Sequence, residues 1–268
     1  MKIPILSIEN KELSTIDLPD QFSEAIEPDL IRRAVLTIQK NKRQKYGSDP
    51  RAGKKYSAKL SRRRRHYKGS YGIGISRVPR KIISHRGRRF NWVGAFAPGT
   101  VGGRRAHPPK AEKNWDVKIN KIENRKAIRS ALAAVVEKKL VAERGHKVPA
   151  IYPFAVENKI EGMDKTKGVF KILEGLGLKA ELKRSAEKKV RSGQGKLRGR
   201  KYKTKKGPLI VVSDSCKLLK AAQNIAGVDI VAVKNVNAEL LAPGTMHGRL
   251  AIFTQAALEK MQKEKLFR

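Results

Sequence analysis

Arg62, Arg63, Arg64 and Arg65 run without interruption into His66, Tyr67 and Lys68. Adjacent guanidinium groups suit one chemistry above others: bidentate pairing with phosphate oxygens, releasing the counterions that a polyanion condenses. The rings beside them suit a second, stacking on unpaired bases of the kind that folded RNA presents in loops and bulges. A second array lies downstream, where Arg191, Lys196, Arg198, Arg200, Lys201 and Lys203 are interleaved with Gly193, Gly195 and Gly199, so that little but donors is presented. A charge run is also read as a solvated face or an import signal. Residues 41–110, however, hold 21 basic groups against the single acid Asp49, and merely solvated charge is the weaker reading there. Trp92, beside Arg88, Arg89 and Phe90, is read first as a local packing anchor and second as a base stacker.

Catalytic constellations are thin by comparison. No G-x-x-x-x-G-K-[ST] occurs, since Gly193-Gln-Gly195-Lys196 lacks the upstream glycine and is followed by Leu197. Gly72-Ile-Gly74 completes only part of G-x-G-x-x-G and sits in a basic stretch, not between a strand and a helix. There is no G-x-S-x-G and no H-E-x-x-H, and the five histidines have no ligand-like spacing. The pattern implies no metal and no cofactor. The rival reading is an α/β enzyme acting on nucleic acid, with the basic segment clamping its substrate and Asp214 or Asp229 reacting at strand ends. The plainer reading makes Asp214 a helix N-cap and Asp229 a turn residue, with Asp49, Glu181 and Glu187 salt-bridged. Cys216 falls in a first helical turn, where a thiol can be acidified. As the one cysteine it excludes an internal disulfide, and a lone thiol is more often a small buried residue.

These residues need a scaffold. Across 268 residues the net charge is +37, the hydrophobic fraction 40% and the mean hydropathy −0.52, which calls for a polyanionic partner. An anionic membrane surface is the other polyanion, but the basic segments lack the period of an amphipathic helix. No run of 18 apolar residues occurs, and the first ten residues have no leader-like pattern. A reducing cytosolic setting is expected. Besides residues 41–110, residues 181–207 carry 12 basic groups against two acids, and the remainder is ordinary in composition. Segment 45–110 holds ten glycines and five prolines with no sustained apolar period, yet it contains seven of the 15 aromatics, so it is expected to order against a partner. Gly72, Gly74, Gly94, Gly99, Gly102 and Gly103 are expected to let backbones approach. Segment 183–206 is read as a loop anchored on a strand.

Elsewhere strands and helices alternate: strands at 2–8, 208–213, 228–233 and 249–253, helices at 28–40, 121–144, 165–173, 215–226 and 255–266. The spacing predicts βαβ units and a mostly parallel sheet with helices on both faces. Domain organisation follows: 1–44 and 111–268 form one α/β domain, and 45–110 is an inserted extended loop.

The chain resembles the universal family of large-ribosomal-subunit protein four, in its archaeal–eukaryotic branch. The resemblance rests on Gly103-Arg-Arg-Ala-His-Pro-Pro-Lys110, Asn120-Lys-Ile-Glu-Asn-Arg-Lys-Ala-Ile-Arg-Ser-Ala-Leu132, Val190-Arg-Ser-Gly-Gln-Gly-Lys-Leu-Arg-Gly-Arg200, and Glu239-Leu-Leu-Ala-Pro-Gly244 followed by Gly248-Arg-Leu-Ala-Ile-Phe-Thr254. It implies a three-layer α/β/α domain on the large subunit and a loop threading ribosomal RNA to the nascent-peptide exit tunnel. Arg62 to Arg65, Lys68, Arg77, Arg80, Lys81, Arg104, Arg105 and the second array would bind RNA. Arg86, Arg88, Arg89, Asn91 and Trp92 would lie at the tunnel tip. The implied partners are ribosomal RNA, neighbouring large-subunit proteins and, transiently, the nascent chain. The implied role is structural, supports early assembly and is not enzymatic. The stop at Arg268, without the long C-terminal extension of eukaryotic members, points to an archaeal source.

Overall fold

Four consecutive residues, Leu209 to Val212, are fully buried in the computed structural model of residues 1–268, and alternation sends them to opposite faces of one sheet. The elements before the inserted segment are β1 (Lys2–Leu6), β2 (Glu12–Asp17) and α1 (Pro28–Asn41); within it lie β3 (Arg80–Arg86) and β4 (Arg89–Gly94). Then follow α2 (Lys121–Val136), α3 (Lys138–Glu143), β5 (Ala155–Val156), α4 (Thr166–Leu173), α5 (Lys179–Ala186), β6 (Lys188–Val190), β7 (Tyr202–Thr204), β8 (Leu209–Val212), α6 (Lys217–Gln223), β9 (Asp229–Ala232), α7 (Ala238–Leu241), β10 (Ala251–Thr254) and α8 (Gln255–Lys263). The chain divides into one unit of Met1–Lys42 with Asp116–Arg268 and another of Arg43–Trp115.

The first unit is built on a six-stranded sheet of order β2-β1-β5-β10-β8-β9, parallel except where β2 folds back on β1. Ile3, Ile5, Leu209, Val211, Ala251 and Phe253 join a core with Ile31, Val35, Leu132 and Leu258, under α1, α2 and α8. Their neighbours Leu6, Ile210, Val212 and Ile252 join a second core with Val169, Leu173, Leu218 and Ala222, under α4 and α6. Helices on both faces make this the expected three-layer α/β/α domain with a mostly parallel sheet.

Several elements differ from expectation. The helix at 121–144 is two helices, because Glu137 is extended (φ −81°, ψ 103°). The Tyr152 hydroxyl donates to the Val135 carbonyl at 2.6 Å, satisfying a group that a continuous helix would have used itself. Gly145, at φ +94°, follows the second piece rather than one long helix. β2 and β5 carry no long apolar run and stand outside the strands that the spacing predicts. β9, in contrast to β8, is half-buried at the sheet edge. Segment 183–206 is not a loop: Lys183 and Arg184 lie in the last turn of α5, and β6 pairs with β7 as a hairpin. Tyr152→Phe strands the buried Val135 carbonyl, and it should lower stability by about 1–2 kcal/mol, read from the urea midpoint at unchanged m-value.

Candidate nucleic-acid interface

Within Arg43–Trp115, β3 and β4 form a hairpin closed by Gly87 and Arg88, with Gly87 at φ +56°. Alternation places Phe90 and Trp92 on one side of β4, where their rings stack at 5.1 Å. Tyr67 meets Phe90 edge-on at 5.4 Å and His85 lies 5.7 Å away, so Trp92 is packed locally and only half-buried. A bulge at Ile83 breaks the alternation of β3, which hid the hairpin from sequence reading.

Cations surround this hairpin. Arg62 to Arg65, Arg77, Arg86, Arg88, Arg89 and Arg105 are exposed, as is Asn91, which donates to the Ser84 hydroxyl at 3.0 Å. Lys68, Arg80, Lys81 and Arg104 are half-buried. Aromatic faces and carbonyls take the place of carboxylates: Arg77 donates to the Tyr71 hydroxyl at 3.1 Å, Lys81 lies 4.3 Å from the Tyr56 ring, and Arg80 holds the Ser76 carbonyl through two nitrogens. Arg86 and Arg89 face each other across the strands, an arrangement that repels until an anion lies between them. Asp49, the one acid among residues 43–111, pairs with Lys55; its carboxyl is held below the usual range by the Arg51 amide and by Lys55.

Two glycines fix how the segment folds on itself. A Cβ on Gly53 would lie 2.4 Å from the backbone of Gly103 and Arg104, and one on Gly103 would lie 2.2 Å from the Ala97 carbonyl. Of the six glycines expected at close approaches, Gly94, Gly102 and Gly103 have near neighbours. Gly72, Gly74 and Gly99 instead have open space around them and serve positive-φ backbone positions. Gly53 was missed. So was Trp115, which stacks on Tyr46 with the Arg43 guanidinium 3.9 Å from its ring; no basic run marks it.

The second array is the β6–β7 hairpin of the other unit. Lys196, Arg198, Arg200, Lys201 and Lys203 are exposed, and Arg191 is half-buried, donating to the carbonyls of Arg200 and Tyr202. Lys189 and Lys203 are directly opposed, again like against like. The roots of the hairpin are held firmly. Lys205 pairs with Glu187 at 2.6 Å, and Arg184 donates to the Lys206 carbonyl at 2.6 Å. Arg184 also pairs with the fully buried Glu181, which accepts from the Lys147 amide and lies 2.7 Å from His146 Nδ1. Burial opposes the Glu181 charge, but these partners outweigh it and hold its pKa at about 2. Burial also lowers the His146 pKa.

The residues proposed for chemistry are engaged elsewhere. Asp214 is not an N-cap: Cys216 occupies that position of α6, and Asp214 is exposed and paired with Lys260. Asp229 opens β9 and is not a turn residue; Arg249, fully buried, donates to it at 2.6 Å and Lys206 at 2.9 Å. Burial raises the Cys216 thiol pKa, contrary to an acidified nucleophile. No group of three or more His, Cys, Asp or Glu residues is placed to hold a metal ion, and no helix is long and apolar enough to cross a membrane.

Residues 16–264 match the model of the family described as Ribosomal protein L4/L1. Over its whole length and all of the relative's, the chain is 50% identical to large ribosomal subunit protein uL4 of Nanoarchaeum equitans. It is 42% identical to the protein of that name from Archaeoglobus fulgidus over 97% of each chain, and 46% identical to that of Methanococcoides burtonii over 96% of each.

Proposed function

The chain belongs to the ribosomal protein L4/L1 family, and on that premise we propose that it is an archaeal-type structural constituent of the large ribosomal subunit, in the cytoplasm, that binds ribosomal RNA through segment 45–110 and the β6–β7 hairpin. Its role is architectural and not enzymatic. The observation that carries the reading is the set of exposed arginines, Arg62 to Arg65 with Arg86, Arg88 and Arg89, none of which forms an ion pair within the chain. Such concentrated charge repels itself in a compact state, and a polyanion relieves that repulsion. Lys68, Arg77, Arg80, Lys81, Arg104 and Arg105 extend the contact along the segment, and Arg191, Lys196, Arg198, Arg200, Lys201 and Lys203 supply a separate contact from the domain.

Counterion release offsets the entropy of fixing the segment on RNA, which suits a role early in assembly. At the hairpin end, Arg86, Arg88, Arg89, Asn91 and Trp92 line the peptide exit tunnel, past which the nascent chain moves, and neighbouring subunit proteins complete the contacts. Sucrose-gradient sedimentation of a lysate tests the reading: the chain should travel with the large subunit at low and at high salt. Release at high salt would reduce it to an electrostatic surface associate, and a position at the top of both gradients would remove it from the ribosome.

A further inference from the structure

We infer that the cavity between Tyr67 and the β3–β4 hairpin is a seat for one unpaired nucleobase of the bound RNA. This rests on the RNA-binding reading above and adds to it a chemical class of ligand and a place.

The cavity measures about 790 Å³, within the size range of small-ligand sites. Its aromatic wall is the stacked pair Phe90 and Trp92, with Tyr67 set edge-on. Arg65, Lys68, Arg88 and Arg89 line it as well. Aromatic rings and cations lining one cavity select a ligand that is both planar and attached to negative charge, and a base on its phosphodiester strand is that combination. Part of the apolar lining stands in solvent: Tyr67 is 54% exposed, and Ile73, which also lines it, is 57% exposed. Such apolar surface gains free energy only when something covers it.

Charge complementarity also chooses between RNA and a passing peptide. No acid lines the cavity, and Arg65, Arg88 and Arg89 have no carboxylate partner to surrender before binding phosphate. Two of the lining cations, Arg65 at φ +57° and Lys68 at φ +58°, are held in left-handed backbone that side chains rarely adopt.

The test uses the full chain and two 12-nucleotide probes, oligo(rA) and an abasic ribose-phosphate strand of the same length and charge. The chain should bind oligo(rA) about tenfold more tightly, the effect of stacking one base. Trp92→Ala should erase that preference and leave abasic binding unchanged, and Trp92→Phe should restore most of it. A second measurement is independent of the alanine variant. With Trp115→Phe, Trp92 is the sole tryptophan, and oligo(rA) should quench its fluorescence while the abasic strand does not. Equal binding of both strands, or quenching by neither bound strand, overturns the base seat and leaves the RNA-binding reading intact. Failure of both strands to bind would instead strike that reading and the base seat together. A neutral phenylalanine-containing peptide that bound with the same dependence on Trp92 would assign the cavity to nascent chains and overturn the proposal.

Discussion

Changing Arg62, Arg63, Arg64 and Arg65 together to glutamine should make binding to large-subunit ribosomal RNA less dependent on salt, with a slope of log K against log salt shallower by about 3. Each phosphate contact contributes roughly 0.7 to the slope on single strands and 0.9 on duplexes, and four contacts are removed. Between 50 and 200 mM salt the unaltered chain should therefore lose roughly 10²-fold more affinity than the variant. The fold should be little affected, because all four side chains are exposed and form no ion pair, and exposed positions of this kind usually move stability by less than about 0.5 kcal/mol. Filter binding across a salt series, with circular dichroism as the control on folding, measures both. An unchanged slope in a folded variant would show that these four arginines do not meet phosphate, and the interface would have to be sought on the β6–β7 hairpin instead.

What could be read from sequence, and what could not, follows from which forces act locally. β8 was legible because both of its faces are covered, so four buried residues stand in a row. The basic segments were legible because a charge excess cannot be hidden inside a core. β2 was not, since its side chains are mostly exposed and its place is set by backbone pairing with β1. Two-residue β5 owes its existence to parallel neighbours on both sides, β1 and β10, which no local pattern encodes. At the break at Glu137, the Val135 carbonyl that the helix leaves free is taken by a hydroxyl from Tyr152, outside the helix altogether.

The candidate interface divides in the same way. Its cations were evident one residue at a time, whereas the hairpin that groups Phe90, Trp92 and Tyr67 required a bulge and a turn whose signals were diluted by arginine. The ion pairs that retire Asp214 and Asp229 from chemistry come from residues 46 and 20 positions away in the chain, beyond any motif.

Glu181→Gln should cost about 3 kcal/mol of stability near neutral pH, and the loss should disappear in acid. Glu181 is fully buried between Arg184 and His146, and removing its charge leaves the Arg184 guanidinium without its counterion. The sign follows from protonation. The carboxyl binds its proton at a pKa of about 2 in the folded chain, against 4.5 when free, so the unfolded chain holds more protons between those values. Stability from this group is complete above about pH 4.5 and is lost as pH falls toward 2, by an amount near 1.4 kcal/mol per unit of difference. His146, whose pKa burial lowers from 6.5, acts in the same direction, its contribution present above its unfolded pKa and declining as the medium becomes acidic. Urea unfolding at pH 6, 4 and 2.5 should show the two proteins converging as acid is added. Parallel curves would mean that Glu181 titrates alike in the folded and unfolded chains. The consequence extends beyond stability. Arg184, which Glu181 orients, also holds the Lys206 carbonyl at the root of the β6–β7 hairpin. Loosening it should weaken RNA binding by this second array with its cations intact, at a salt slope unchanged from the native chain.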